Sequence, residues 1–283
     1  MRVLDPFLSA FTGAQMNNHP TDPRLALLWA EEFDEAHGTA VNPNFWNHDI
    51  GDGTKAGIPG WGNQEREYYL ESAVYQDGNS NLTINATRMP VENEYDCYYG
   101  TPAEWTSGKI TTYKKIGFKY GRLEARLKMP KGVGTWPAFW MLGATIAEEP
   151  WPSCGEIDIF EGKGADPRAV FGTLHGPGYS GETPHGKIIQ ADEDLCDDFN
   201  LFAVEWSENK IEWFINDKKF FSATNEDVAP NQWVYNQEFY LILNLAMGGH
   251  FTGAIDEALM SAKLEIDFIR FYSIDGIGEL IRH

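Results

Sequence analysis

Apolar and polar residues alternate in short runs along most of this chain. LTINATRM (82–89), GRLEARLKMP (121–130), AVFGTLHG (169–176), NLFAVEWS (200–207), KIEWFIND (210–217), EFYLILNLAMGG (238–249) and LEIDFIRFYS (264–273) all read as strands. Several carry the period of two that marks half-buried strands. Gly, Pro, Asn and Asp separate the runs. NDKKF (216–220) predicts a tight turn between KIEWFI and FFSAT, hence a hairpin and antiparallel connectivity. Helical periodicity is scarce, and only DEALMSA (256–262) suggests a short helical turn. Many short strands with turn signals predict an all-β sandwich or jelly roll. Residues 1–24 form a polar tail without period, and residues 25–283 are expected to form one domain, with no linker or internal repeat between them.

Composition narrows the function. Lys and Arg number 22 against 42 Asp and Glu, a net charge of −20. Such a surface repels phosphate backbones and so excludes a nucleic-acid partner. It also disfavours strongly sulfated polymers, while a neutral partner carries no such penalty. No run of about 20 apolar residues is present to span a membrane. The N-terminal MRVLDPFLSAFTGAQMNNHP is a poor secretion signal, because Asp5 and Pro6 interrupt its apolar stretch. Cys97, Cys154 and Cys196 lack metal-ligand spacing, and their odd number argues against a disulfide framework, with one bridge left open. Ten Trp, 12 Tyr and 17 Phe suit a β-rich core. Ten Trp is also more than one core usually needs, which suggests flat rings lining a sugar-binding cleft.

The most informative stretch is WPSCGEIDIFEGKG (151–164), with Glu156, Asp158 and Glu161 among Ile157, Ile159 and Phe160. The spacers predict a strand. In a regular strand Glu156 and Asp158 share a face while Glu161 points into the core, and burying an unpaired carboxylate is costly. One extra residue, a β-bulge, returns Glu161 to the face of the other acids and sends Phe160 to the core. A helix would instead set 156 and 161 about 140° apart. With the bulge the two glutamates lie four strand steps apart, roughly 13 Å along a flat strand. Side-chain reach and a curved sheet bring this towards the ~5.5 Å of a retaining glycosidase. One acid would then be an ionised nucleophile and the other a protonated acid, with Asp158 able to raise a neighbour's pKa. Three acids on one strand are equally compatible with a solvated face or a Ca²⁺ site.

GEIDIFE resembles the bulged Glu-x-Asp-x-x-Glu signature of glycoside hydrolase family 16, in its laminarinase-like, endo-β-1,3-glucanase branch. The likeness continues through WAEEFDE (29–35), GWGNQEREYY (60–69), TSGKITT (106–112), YGRLEARLKMPKGVGTWPAFWMLG (120–143), LFAVEWSENKIEWFIND (201–217), YLILNLAMGG (240–249) and LEIDFIRFY (264–272). The order of motifs over residues 26–273 makes it specific. The resemblance implies a β-jelly-roll sandwich of two curved antiparallel sheets with a concave substrate cleft. It implies Glu156 as nucleophile, Glu161 as general acid and base, and Asp158 as their partner. Trp136, Trp140 and Trp151 would stack on glucose rings, although Trp140 has a competing place in the core. Asn63, with Glu65 as a weaker candidate, would bind hydroxyls on the non-reducing side. His175 would lie near the acid, and Lys109 stands where relatives carry Arg, giving up the planar fork of a guanidinium. His250 stands where many relatives have Asn, and residues 91–105 are peculiar to this chain and would shape the cleft rim.

By the same resemblance a structural Ca²⁺ would sit at Glu32, Gly78 (through its carbonyl) and Asp267, with no cofactor for catalysis. The implied activity is retaining endo-hydrolysis of neutral β-1,3-glucan, with mixed β-1,3-1,4-glucan as a secondary substrate, by an extracellular monomer. A galactan hydrolase, a transglycosylase and a non-catalytic glucan-binding jelly roll are the alternatives.

Overall fold

In the sequence the strands come as hairpins and long returns, and in space they separate into two layers. The structure, a computed structural model, describes residues 22–283. Residues 1–21, most of the expected tail, lie outside the described residues, and the first strand begins at Leu25. A nine-stranded sheet runs in the order His185–Gln190, Asp166–His175, Glu156–Lys163, Thr135–Gly143, Phe239–Met247, Lys109–Thr111 and Asn47–His48, with Ile116–Lys119 and Glu279–Arg282 attached. A ten-stranded sheet packs against it, centred on Asn200–Ser207, Gly121–Lys128 and Ser261–Ile274. This is the jelly-roll sandwich expected from the pattern.

Alternation decides what each sheet buries. In Thr135–Gly143, Phe139 and Met141 enter the core while Trp136 and Trp140 face out. In Phe239–Met247, Leu241, Leu243 and Leu245 go in. The facing sheet contributes Leu123, Ala125, Leu127, Phe202, Val204, Trp213, Ile269 and Phe271 to the same cluster. Burial of such side chains contributes about 1.5–3 kcal/mol each. Five tryptophans (Trp29, Trp46, Trp105, Trp206 and Trp213) are core residues. The aromatic surplus is therefore divided, as the composition suggested.

Three expectations change. The turn between KIEWFI and the next strand is only Asn216–Asp217, and pairing resumes at Lys218. Both turn residues have positive φ, 47° and 60°, the signature of a two-residue primed turn, which Asn and Asp tolerate. DEALMSA forms no helix; residues 257–258 make a turn, and Ser261 and Ala262 already belong to the long final strand. The α-helix among the described residues is the single turn Gly249–Thr252. Pairing is antiparallel except between Glu67–Tyr69 and Trp105–Ser107, which run parallel. No hairpin joins that pair, so the long intervening chain is free to return in the same direction. The three cysteines are unpaired.

Candidate active site

The acidic strand Glu156–Lys163 lies between Thr135–Gly143 and Asp166–His175. Its register shifts on both sides: Asp158 pairs with Trp140 and Thr173, whereas Glu161 pairs with Ala138 and Phe171. Asp158 and Glu161 are thus three positions apart where their partners on either side are two apart. This is the expected bulge. Ile157, Ile159 and Phe160 are fully buried, and the Phe160 ring packs on Phe202 of the opposite sheet at 4.1 Å. Glu156, Asp158 and Glu161 consequently share the outward face, together with Trp136, Trp140 and His175.

Each carboxylate has its own partner. Trp151 Nε1 donates to Glu156 Oε2 at 2.6 Å, and Trp136 Nε1 donates to Glu161 Oε1 at 2.9 Å. Asp158, only 2% exposed, sits between them. Burial, then the charge of Glu156 and a hydrogen bond to it, raise the Asp158 pKa well above the ordinary carboxylate range. Asp158 thus keeps its proton to higher pH than an ordinary carboxyl group does. Burial, then the neighbouring Asp158, push Glu161 up to about 8, against the smaller opposing effect of the Trp136 hydrogen bond. Glu161 is therefore protonated at neutral pH, as a general acid must be.

His175 lies beside this pair. The Gly181 N–H donates to His175 Nδ1 at 3.1 Å, so the neutral ring carries its proton on Nε2. Nε2 faces Asp158 Oδ2 at 3.3 Å. The nearest donor atoms of Glu156, Asp158 and His175 lie within 4.8 Å of one another, the single such cluster among the described residues. A cation there would need the Nε2 lone pair, which this tautomer does not offer. The cluster is therefore fitted for sharing protons rather than for holding metal.

The remaining sugar-binding candidates gather on the same face, next to a polar network beneath the cleft floor. Trp140 Nε1 donates to Asn244 Oδ1 at 2.7 Å, which settles its place on the cleft side rather than in the core. Asn244 Nδ2 donates to the Tyr69 hydroxyl at 3.2 Å, and that hydroxyl donates to Glu65 Oε2 at 3.1 Å. Asn63 Nδ2 donates to Glu65 Oε1 at 3.1 Å, which turns its amide nitrogen towards the protein. Glu65 is buried, so its contact with the cleft runs through Asn63. Burial, then the charge of Glu65, also raises Glu67, whose Oε2 accepts from the Met247 N–H at 2.7 Å. Lys109 is held 4.0 Å over the Trp61 ring, with its Nζ 3.4 Å from Asp49 Oδ2.

Sequence reasoning did not single out Asn244, Tyr69, Glu67 or Trp61 as site residues. Trp61 was within reach, because it stands two residues before Asn63. Glu67 and Tyr69 stand in the same segment as Glu65, and Asn244 is joined to Trp140 by a contact that spans more than 100 residues with no local signal. Segment 91–105 packs on the Asn63 loop: the Tyr98 N–H donates to Asp52 Oδ2 at 2.6 Å, and its ring fills the space where a Gly60 side chain would stand. His250 is exposed, in the single helical turn beyond the long strand.

The expected calcium residues are placed differently from what a cation needs. Both carboxylate oxygens of Glu32 are held by Arg270 at 2.7 and 2.8 Å, and Asp267 Oδ2 pairs with Arg126 at 2.6 Å. Gly78 packs against His37. A hard cation seeks six to eight oxygens, several of them charged. Glu32 has both carboxylate oxygens taken by a guanidinium and Asp267 has one, so these side chains fall short of that requirement.

Residues 62–270 match glycosyl hydrolases family 16. The chain belongs to this family. It is 42% identical to the laminarinase catalytic domain of Thermotoga maritima, with a TM-score of 0.82 over 88% of this chain and 98% of that one. It is 34% identical to a beta-glucanase of Rhodothermus marinus, over 96% of this chain and 94% of the relative. A glucan endo-1,3-beta-glucosidase A1 of Niallia circulans is also 34% identical; the match covers 89% of this chain but only 39% of that longer protein. As a family 16 jelly roll, the chain is a glycoside hydrolase whose bulged strand carries the acids.

Proposed function

We propose that this chain is a retaining endo-β-1,3-glucanase. The observation that carries the reading is the bulge, which sets Glu156 and Glu161 on one face with Asp158 between them. The Glu156 carboxylate attacks the anomeric carbon while Glu161 passes its proton to the departing glycosidic oxygen. That breaks the glycosidic bond and leaves an ester to Glu156. Glu161, now ionised, takes a proton from water, whose oxygen attacks the same carbon and frees Glu156. Two displacements retain the anomeric configuration.

Asp158 matches the needs of both steps. It supports the Glu156 carboxylate by hydrogen bonding before attack, and its proximity helps keep Glu161 protonated. The His175 ring lies beside Asp158, its Nε2 3.3 Å from Oδ2, without a hydrogen bond between them.

A neutral glucan fits a surface of net charge −20 and a cleft bearing Trp61, Trp136, Trp140 and Trp151. The names of the relatives point the same way. Mixed β-1,3-1,4-glucan is the expected secondary substrate, and a polymer of this size places the activity outside the cell. The protein acts as a monomer in this reading.

The test is a reducing-end assay with product sizing on laminarin, curdlan, barley mixed-linkage glucan, agarose and carrageenan. Oligosaccharides should appear from laminarin first and from barley glucan more slowly. Release from a galactan alone would overturn the substrate. No release from any of the five, with laminarin still retarding the protein in a gel, would leave a binding module.

A further inference from the structure

The bulge that aligns the acids has a cost that a regular strand does not. A carbonyl at a bulge loses its ladder partner, and a buried one must find another donor. The Asp158 carbonyl finds it across the sandwich: Trp213 Nε1 donates to Asp158 O at 2.8 Å. Trp213 belongs to Lys210–Ile215 of the ten-stranded sheet, and its ring is fully buried. An N–H arriving from the core side requires the Asp158 carbonyl to turn out of the sheet plane and inward. The Phe160 ring reaches down into the same core, onto Phe202. The opposite sheet thus grips the bulge at two successive points.

A third feature makes room for this grip. Gly172 faces the core on the strand beside the bulge, between Phe171, the partner of Glu161, and Thr173, the partner of Asp158. A Cβ there would lie 2.9 Å from Trp213 Cδ1 and 3.0 Å from Phe220 Cζ. Both contacts are too close for the ring to stay where it is. The missing side chain leaves the slot through which the indole reaches Asp158.

We infer that Trp213 is a positioning residue for catalysis: its indole N–H fixes the bulge peptide after Asp158, and with it the relative placement of Glu156, Asp158 and Glu161. It touches no substrate. The inference rests on the proposed double displacement, because it assigns Trp213 to the spacing of those carboxylates.

The core supplies a matched control. Trp206, also buried and on the same sheet, donates its Nε1–H to the Tyr235 carbonyl at 3.0 Å and so holds no backbone group of the strand Glu156–Lys163. Trp213→Phe and Trp206→Phe each remove one buried indole-to-carbonyl bond and keep an aromatic ring. Both should lower Tm to a similar extent. Only Trp213→Phe should lower kcat, by roughly 10- to 100-fold as for small misplacements of reacting groups, with KM little changed. Its alkaline limb of kcat should also move towards acid, because a loosened bulge admits water around Glu161. Trp206→Phe should keep the wild-type kcat and pH limbs.

The assay uses whichever glucan of the panel the wild-type enzyme cleaves fastest. A wrong linkage assignment then defeats the proposed function without affecting this test. Gly172→Ala, which displaces the ring and leaves its N–H intact, should reproduce the kcat loss and the shifted limb, and it carries the test if Trp213→Phe does not fold. Wild-type kcat and pH limbs in a folded Trp213→Phe, or in Gly172→Ala, would overturn the inference. So would an equal kcat loss in Trp206→Phe.

Discussion

Glu156→Gln and Glu161→Gln should each remove nearly all hydrolysis of laminarin, for different reasons that can be separated. Loss of Glu156 removes the group proposed to form the ester, and kcat should fall beyond the 10²–10⁴-fold typical of losing a general acid or base. Both variants should still bind laminarin, since the cleft tryptophans and Asn63 are untouched. The roles separate with a substrate that needs no protonation to leave. With an aryl β-laminaribioside, Glu161→Ala should still form the glycosyl-enzyme, and added azide should then accelerate turnover and yield the β-glycosyl azide. Glu156→Ala should show no such rescue to the β product. A near wild-type rate in either glutamine variant would refute its assignment. A β-azide from the Glu156 variant would exchange the two roles.

The second large effect concerns pH and Asp158. Activity needs Glu156 ionised and Glu161 protonated, so the profile should be bell-shaped. Glu161 is raised to about 8, so the enzyme should stay active through neutrality and lose kcat as pH rises through that region. The sign follows from the causes: burial and the neighbouring Asp158 both disfavour a second negative charge on Glu161. Asp158→Ala removes one of those causes and opens the site to water. Its alkaline limb should shift towards acid, and kcat should fall by roughly 10²–10³, the usual loss on deleting one preorganised hydrogen-bonding group. Asp158→Asn retains a donor for Glu156 and should lose less. Kinetics across pH 4 to 10 in the three proteins check this. An alkaline limb unmoved by Asp158→Ala would mean that Asp158 does not set the state of Glu161.

The acidic strand was legible because two physical requirements collide within six residues. Ile157, Ile159 and Phe160 demand the core, while Glu156, Asp158 and Glu161 cannot enter it, and a bulge satisfies both. The strands LTINATRM and NLFAVEWS were legible for the simpler reason of alternation. The hairpin at 216–220 was read too long, because Lys218 and Lys219 suggest a loop although strand pairing takes them in. DEALMSA has helix-favouring residues but closes as a turn before the long final strand, whose pairing outweighs so short a helix.

The support of the site was much less visible. Trp213 reads only as one more aromatic in KIEWFI, and nothing local reveals that its N–H meets a carbonyl 55 residues earlier. Gly172 reads as a strand glycine until the ring beside it is known. The chain from Trp140 through Asn244 to Tyr69 and Glu65 links three distant segments. The side chains of Glu32 and Asp267 seemed open to a cation because Arg270 and Arg126, which occupy them, are brought there by sheet register.

The most direct test of the whole account is the configuration of the first sugar released. Laminarin digested at high enzyme concentration in an NMR tube should show the β-anomer of the new reducing ends first, with the α-anomer growing in only by mutarotation. Early appearance of the α-anomer would contradict the double displacement through Glu156, because a single displacement by water inverts the centre.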